Sequence, residues 1–222
     1  MLTDNQEKVK FNFFVFLCYN KVKGDNLMLE SKRLILRKVE LKDAEDMLEY
    51  AKDEMVGPMA GWEPHKTIKD SEDIIKMWIE PNSEEENFSI ILKDKNKMIG
   101  TVGNMLSVRK VEKIENINLK AFYEKYNKIY EIGIVVGREY WGQGIATEAL
   151  KLTIQYLFLQ KDADAVLGLH YSENVSSEKM QVKCNLKEIC KKEVKEKWFN
   201  TECTTMVFRG ITKEEWLKEK EQ

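Results

Sequence analysis

The sequence predicts an α+β (mixed α/β) fold built on a mixed sheet, and three observations carry that expectation. Strand-like and helix-like segments interleave without strict alternation, a hairpin stands in the first half, and one strand passes through a glycine turn into a long apolar helix.

The elements are read in order. Arg33–Arg37 alternates and is rich in large aliphatics, as a strand does. Leu41–Ala51 places Ala44, Met47, Leu48 and Ala51 at helical spacing, with Asp43 near its start, where a carboxylate suits the helix dipole. Residues 56–66 hold Gly57, Pro58, Gly61 and Pro64 and read as a loop. A second helix covers Asp70–Ile79, with Ile74, Ile75 and Trp78 on one face, ended by Pro81 and the Glu84–Glu86 run. Phe88–Leu92 and Met98–Leu106 form a hairpin around the polar turn 94–97. Residues 107–130 read as charged and irregular, punctuated by Phe122, Tyr123, Tyr126 and Tyr130. Glu131–Val136 is a buried-looking strand, Ala146–Leu159 a strong helix and Ala165–His170 a strand. Ser176–Lys183 reads as helical, and Thr204–Arg209 is a last strand.

The 222 residues fit one domain, 28–222, with an N-terminal extension, 1–27. Apolar residues at 43% suffice for a core, and a net charge of −2 gives no sign of a nucleic-acid surface. Cys18, Cys184, Cys190 and Cys203 form no CxxC pair, and His65 and His170 are the two histidines; neither a metal site nor a disulfide framework is expected. Reduced thiols point to the cytoplasm. The apolar stretch FNFFVFLCY, nine residues from Phe11, is too short to span a membrane and lacks a cleavage site after it. For residues 1–27 two readings stay open. One is a translated leader before a natural start at Met28, because Lys23-Gly24-Asp25 can be encoded with a ribosome-binding sequence. The other is an extra strand or helix.

The most informative stretch is EIGIVVGREYWGQGIATEALKLTIQYLFL, Glu131–Leu159. Gly142 and Gly144 clear side chains from a tight turn, and the first amides of the following helix lack internal partners and carry its positive dipole end. Together they suit a diphosphate. Alone, Gly-x-Gly before a helix is also read as a helix start that needs two glycines. A dinucleotide-binding turn fits poorly, because Gly137–Trp141 intervenes, Thr147 takes the third glycine position and no parallel βαβ unit follows.

With these residues in view, the chain resembles the GNAT superfamily of N-acetyltransferases, nearest to the branch that acetylates ribosomal-protein N-termini. The matching segments are LESKRLILRKVELKDAEDM, FSIILKDKNKMIGTVG, EIGIVVGREYWGQGIATEAL and ENVSSEKMQVKCNLK, in the family's order from Leu29 to Phe208. The resemblance implies a central, mostly antiparallel twisted sheet flanked by helices, with splayed strands holding acetyl-CoA and no metal. Ile134 and Val136 would pair with the pantetheine arm, and Gly142, Gln143, Gly144, Ile145, Ala146 and Thr147 would hold the pyrophosphate. Trp141 stands where the family usually has Gln or Arg. Asn174 is similar to the residue that bonds the CoA arm and Ser177 to the one near the thioester sulfur, although both also read as helix caps. Asn185 replaces the family's glycine at the end of that helix, and Leu186 its phenylalanine.

The implied reaction is direct attack of an amine on the thioester in a ternary complex. A neutral amine is needed, so a general base is useful, and Glu131 is the candidate; Ser177 would serve the departing thiolate. Backbone amides of the Glu131 strand would stabilise the oxyanion. His65 is more often structural in such a loop. Residues 56–66, Tyr123 and Tyr126 are candidate walls for the acceptor: a protein N-terminus, a polyamine, an aminoglycoside or another small amine. A homodimer is an option; nucleic acid and membrane partners are not expected. A non-catalytic acyl-CoA-binding regulatory module and, more weakly, a nucleotide-binding protein are the competing readings.

Overall fold

The computed structural model describes residues 27–81, 83, 85–195 and 203–221. Residues 1–26, with the FNFFVFLCY stretch and Cys18, lie outside them, so the two readings of the N-terminus do as well.

Among the described residues eight strands form one sheet: β1 (Met28–Glu30), β2 (Leu34–Lys38), β3 (Glu85–Leu92), β4 (Lys97–Leu106), β5 (Ile129–Val136), β6 (Ala165–Tyr171), β7 (Lys187–Val194) and β8 (Thr204–Thr212). Their order is β1-β2-β3-β4-β5-β6-β8-β7, and every pairing is antiparallel except β5–β6. The expected α+β fold with a mixed, mostly antiparallel sheet is the fold observed.

Period-two alternation assigns the two faces of the sheet. On β5, Tyr130, Ile132, Ile134 and Val136 join the main core with the long helix α5 (Ile145–Leu159) and Trp216 of α7 (Lys213–Lys220). Ile129 and Val135 point the other way, into two separate clusters. One is built on α1 (Ala44–Ala51) and α3 (Ile68–Trp78), the other on α4 (Ile117–Lys125). Glu131 shares that face.

Caps explain most helix starts. Thr67 and Asp70 form a capping box on α3, Thr212 and Glu215 another on α7, and Asn116 accepts from the amides of Asn118 and Leu119 to start α4. The backbone amide of Glu40 and the guanidinium of Arg37 both donate to Asp43, which is 3% exposed rather than a free surface carboxylate. Ser89 donates to it as well, at 2.7 Å. Asn185 ends α6 (Val175–Lys183) in the left-handed conformation, φ +61°, as its replacement of glycine requires.

Several boundaries differ from the sequence expectation. Residues 107–130 are not irregular throughout, since α4 lies inside them, and 56–66 contains the one-turn helix α2 (Gly57–Ala60). The Glu84–Glu86 run does not merely end a helix: β3 begins at Glu85, and Glu86 is held by Lys161 and Tyr156. The strand β7, KEICKKEV, escapes detection because it is an edge strand whose charges protect it from further pairing.

Candidate active site

β5, α5 and β6 form a parallel βαβ unit, which corrects the sequence reading that none follows the turn, but the two strands pair only from Ile129↔Ala165 to Ile132↔Gly168. Beyond that point β5 continues to Val136 beside β4 alone, and β6 to Tyr171 beside β8 alone. A central strand flanked on both sides is normally buried. Here Gly133 is exposed, Ile132 and Ile134 are half-buried, and a methyl group placed on Gly133 would meet nothing within 4 Å. The strands are splayed and the gap is open.

The ladder fixes which groups line it. The Gly137 amide donates to Ile99 O across the Gly100/Val136 pair, so alternation turns the amides and carbonyls of Ile134 and Val136 away from β4, toward the gap. Val136 O is taken by the indole N–H of Trp141 at 2.7 Å, which ties the strand end to the glycine turn. That contact also spends the Trp141 donor on the backbone.

The turn itself is strongly specified. Gly142 and Gly144 have φ of +74° and +75°, a region that costs other residues about 1–2 kcal/mol each. Nothing lies within 4 Å of a Cβ placed on Gly142. Gly144 is the N-cap of α5, and the first internal bond of that helix is Glu148 N to Gly144 O; the amides of Ile145, Ala146 and Thr147 precede it. Gln143 is exposed, and its carbonyl accepts from Arg33 Nη1 at 2.9 Å. Arg33 also pairs with Glu148, which takes Ser31 Oγ at 2.6 Å. The acidic side chain in the first turn of α5 is thereby neutralised. Burial raises the Glu148 carboxyl, and the Ser31 and Arg33 bonds outweigh that and hold it below its ordinary value. Arg33 was legible in the sequence only as a strand residue.

At the end of β6, Asn174 Oδ1 accepts from Ser177 N at 3.0 Å and caps α6, and its Nδ2 donates to Met59 O at 3.4 Å. Capping is thus present. It also holds the 56–66 segment against the splayed end of β6, where the hydroxyl of Tyr171 lies 3.3 Å from a Cβ placed on Gly61. Ser177 is half-buried. His65 is engaged elsewhere: its Nδ1 lies 2.9 Å from the hydroxyl of the fully buried Ser71, its ring packs near Trp62, and burial lowers its pKa.

Glu131 lies at the paired end of the gap, in a network drawn from the 107–130 segment. Its Oε1 accepts from Ser107 Oγ at 2.6 Å, Arg109 Nε at 2.7 Å and Tyr123 OH at 3.1 Å; Oε2 accepts from Arg109 Nη2 at 2.8 Å. Burial raises its pKa, but the bonds from Arg109 and Ser107 outweigh that and leave it below the usual carboxylate value. Tyr123 is pushed up to about 12 by burial and remains a donor. Tyr126 packs on Phe122 within the α4 cluster. Ser107 and Arg109 were not singled out in the sequence, which shows a charged segment but not which carboxylate it folds onto.

A family model for an acetyltransferase (GNAT) domain matches residues 33–187. The chain belongs to the GNAT acetyltransferase family. It is therefore an acyltransferase. It is 31% identical over 155 residues to an uncharacterised N-acetyltransferase, p20, of Bacillus licheniformis, covering 68% of this chain and 78% of that one. Its fold is similar to the spermidine N-acetyltransferase of Vibrio cholerae, solved with CoA and spermine (TM-score 0.65, 18% identity, 84% and 99% of the two chains). It is also similar to the ribosomal-protein-S5-alanine acetyltransferase of Vibrio fischeri (TM-score 0.64, 17% identity, 85% and 98%). Among the described residues of this GNAT chain, no helix is long and apolar enough to cross a membrane, and no group of three His, Cys, Asp or Glu side chains could hold a metal ion.

Proposed function

We propose that the protein transfers the acetyl group of acetyl-CoA to a primary amine by direct attack in a ternary complex. The observation that carries this reading is the gap between β5 and β6 together with the turn that Trp141 ties to the end of β5, where two glycines are left-handed and nothing lies over Gly142. Acetyl-CoA supplies the activated acyl group as a thioester. Ile134 and Val136 offer backbone groups to an extended arm, and the turn offers amides and a helix dipole to a diphosphate. Asn174 fixes the start of α6, and Ser177 donates a hydrogen bond to the leaving sulfur.

Glu131 acts on the acceptor side, on the sheet face opposite α5. Its lowered pKa makes it a permanent anion near neutrality and a weaker base than a carboxyl tuned toward the working pH. Its Oε2 holds one donor and has room for a second, an acceptor ammonium or the water that relieves it of a proton. Glu131→Gln is expected to lower turnover about tenfold at saturating acetyl-CoA, a moderate loss because positioning carries much of such a transfer. Arg109→Gln removes the bidentate donor and leaves the burial, so the carboxyl pKa rises. The acid limb of the rate profile, which lies below the ordinary carboxylate range in the parent, is then expected to move upward. Wild-type turnover in Glu131→Gln at every pH would remove Glu131 from the mechanism.

The neighbours solved with spermine and named for ribosomal protein S5 act on a polyamine and a protein amine, and those classes are the acceptors to try first. Thiol release from acetyl-CoA is measured against polyamines, N-terminal peptides and aminoglycosides. Release with one class establishes the transfer. Tight acetyl-CoA binding with no release on any of them favours a regulatory module instead.

A further inference from the structure

Gln181, on α6 one turn after Ser177, is 3% exposed. Its Nε2 donates to Leu169 O and to Ser177 Oγ, each at 3.3 Å, while its Oε1 is buried with no hydrogen-bond partner. Leu169 lies on the splayed stretch of β6. Ser172 N donates to Thr205 O across the Tyr171/Met206 pair, so alternation turns the Leu169 carbonyl away from β8, toward the gap. That oxygen can only accept, which fixes the amide orientation: the group facing it is the NH₂, and its second hydrogen goes to Ser177 Oγ. Close to Oε1 stands Gly168, the last β6 residue paired with β5; a Cβ there would lie 2.8 Å from that oxygen.

A buried acceptor without a partner costs about 1–3 kcal/mol, so the amide is poorly explained as a stabilising residue. We propose that Gln181 is a positioning residue for Ser177: by donating into a lone pair of Oγ it leaves the hydroxyl hydrogen free to point at the sulfur that leaves the acetyl group. The inference rests on the acetyl-transfer reading. As the amine nitrogen bonds to the acetyl carbon, the carbon–sulfur bond breaks, its electron pair stays on sulfur and the amine's proton departs by way of Glu131. Ser177 stabilises the sulfur anion by a hydrogen bond, and a hydroxyl that itself accepts one donates more strongly.

The test is Gln181→Met, which keeps the volume and removes both amide roles. Expected is a kcat about tenfold lower with the KM for acetyl-CoA within about twofold, and a melting midpoint close to that of the parent, because the orphan Oε1 goes while Leu169 O loses its donor. In a Ser177→Ala background the same change is expected to move kcat less than about twofold, as for two groups acting as one unit. A binding readout stands beside it. The wild type should prefer CoA over desulfo-CoA by about fivefold, the worth of one hydrogen bond, and both Gln181→Met and Gln181→Glu should abolish that preference. The carboxylate of the second variant draws the Ser177 hydroxyl to itself. Equal losses in both serine backgrounds, unchanged kcat, or a retained preference for CoA overturns the assignment. If the wild type binds neither CoA nor desulfo-CoA, the acetyl-transfer reading fails first and takes this one with it.

Discussion

Replacing Gly142 and Gly144 together by alanine is expected to raise the dissociation constant for acetyl-CoA by about two orders of magnitude. Both residues sit at left-handed φ, and each alanine there carries about 1–2 kcal/mol of strain. The free protein escapes that strain by relaxing the turn, which turns the amides of Gly142–Thr147 out of register, and binding must then restore it. Neither new methyl group meets an obstacle in the free chain: the space over Gly142 is open, and a Cβ placed on Gly144 lies 3.8 Å from Arg33 Nη2. The fold should therefore survive. Calorimetric titration reads the affinity, and a dissociation constant equal to that of the parent would show that the turn does not hold the donor.

The second large effect is on stability. Arg37→Ala is expected to destabilise the fold by about 3 kcal/mol at neutral pH, because it leaves a buried carboxylate with its main charge partner removed. Asp43 receives Arg37 Nη1 at 2.8 Å and Nη2 at 2.6 Å, and it ties the start of α1 to Ser89 of β3. Burial raises the Asp43 pKa; the Arg37 and Glu40 bonds outweigh that and hold it below the ordinary aspartate value. A lowered folded-state pKa contributes stability that is present above the unfolded value and lost as pH falls through the folded one. Without Arg37 the cost of burying the charge is opposed by the bonds from Glu40 N and Ser89 alone. The deficit between parent and variant should thus be largest near neutrality and shrink in acid as the carboxyl is protonated. Urea unfolding at several pH values reads this directly; a deficit independent of pH would mean that Arg37 acts by packing alone.

The sheet and the glycine turn into α5 were legible because they depend on local signals. Alternation marks β2, β3 and β4, a glycine pair before an apolar run marks the turn into α5, and Asn185 marks a left-handed helix end. Elements lying at edges were not. β1 has three residues, too few for a period, and β7 is a charged edge strand stabilised by its pairing with β8. The helix α4 was hidden because its apolar residues serve a small local cluster around Ile129 and Phe208 rather than a long stripe. For the site, sequence pointed to Glu131 but not to its neighbours, since a network joining residues 107, 109, 123 and 131 exists only after α4 docks. Arg33 and Gln181 were missed for a related reason. Each acts through a partner more than a hundred residues away or across a helical turn, and nothing in their local context distinguishes them from a strand cation and a surface amide.

The physical core of the account is that backbone amides left unpaired by a splayed strand and a helix start grip the donor. Hydrogen exchange of the wild type with and without saturating acetyl-CoA tests it most directly. The account predicts protection concentrated in Ile134–Val136 and Gly142–Thr147, with little change in α1, α3 and α4. Protection absent from both segments while acetyl-CoA is demonstrably bound would place the donor elsewhere and contradict the account.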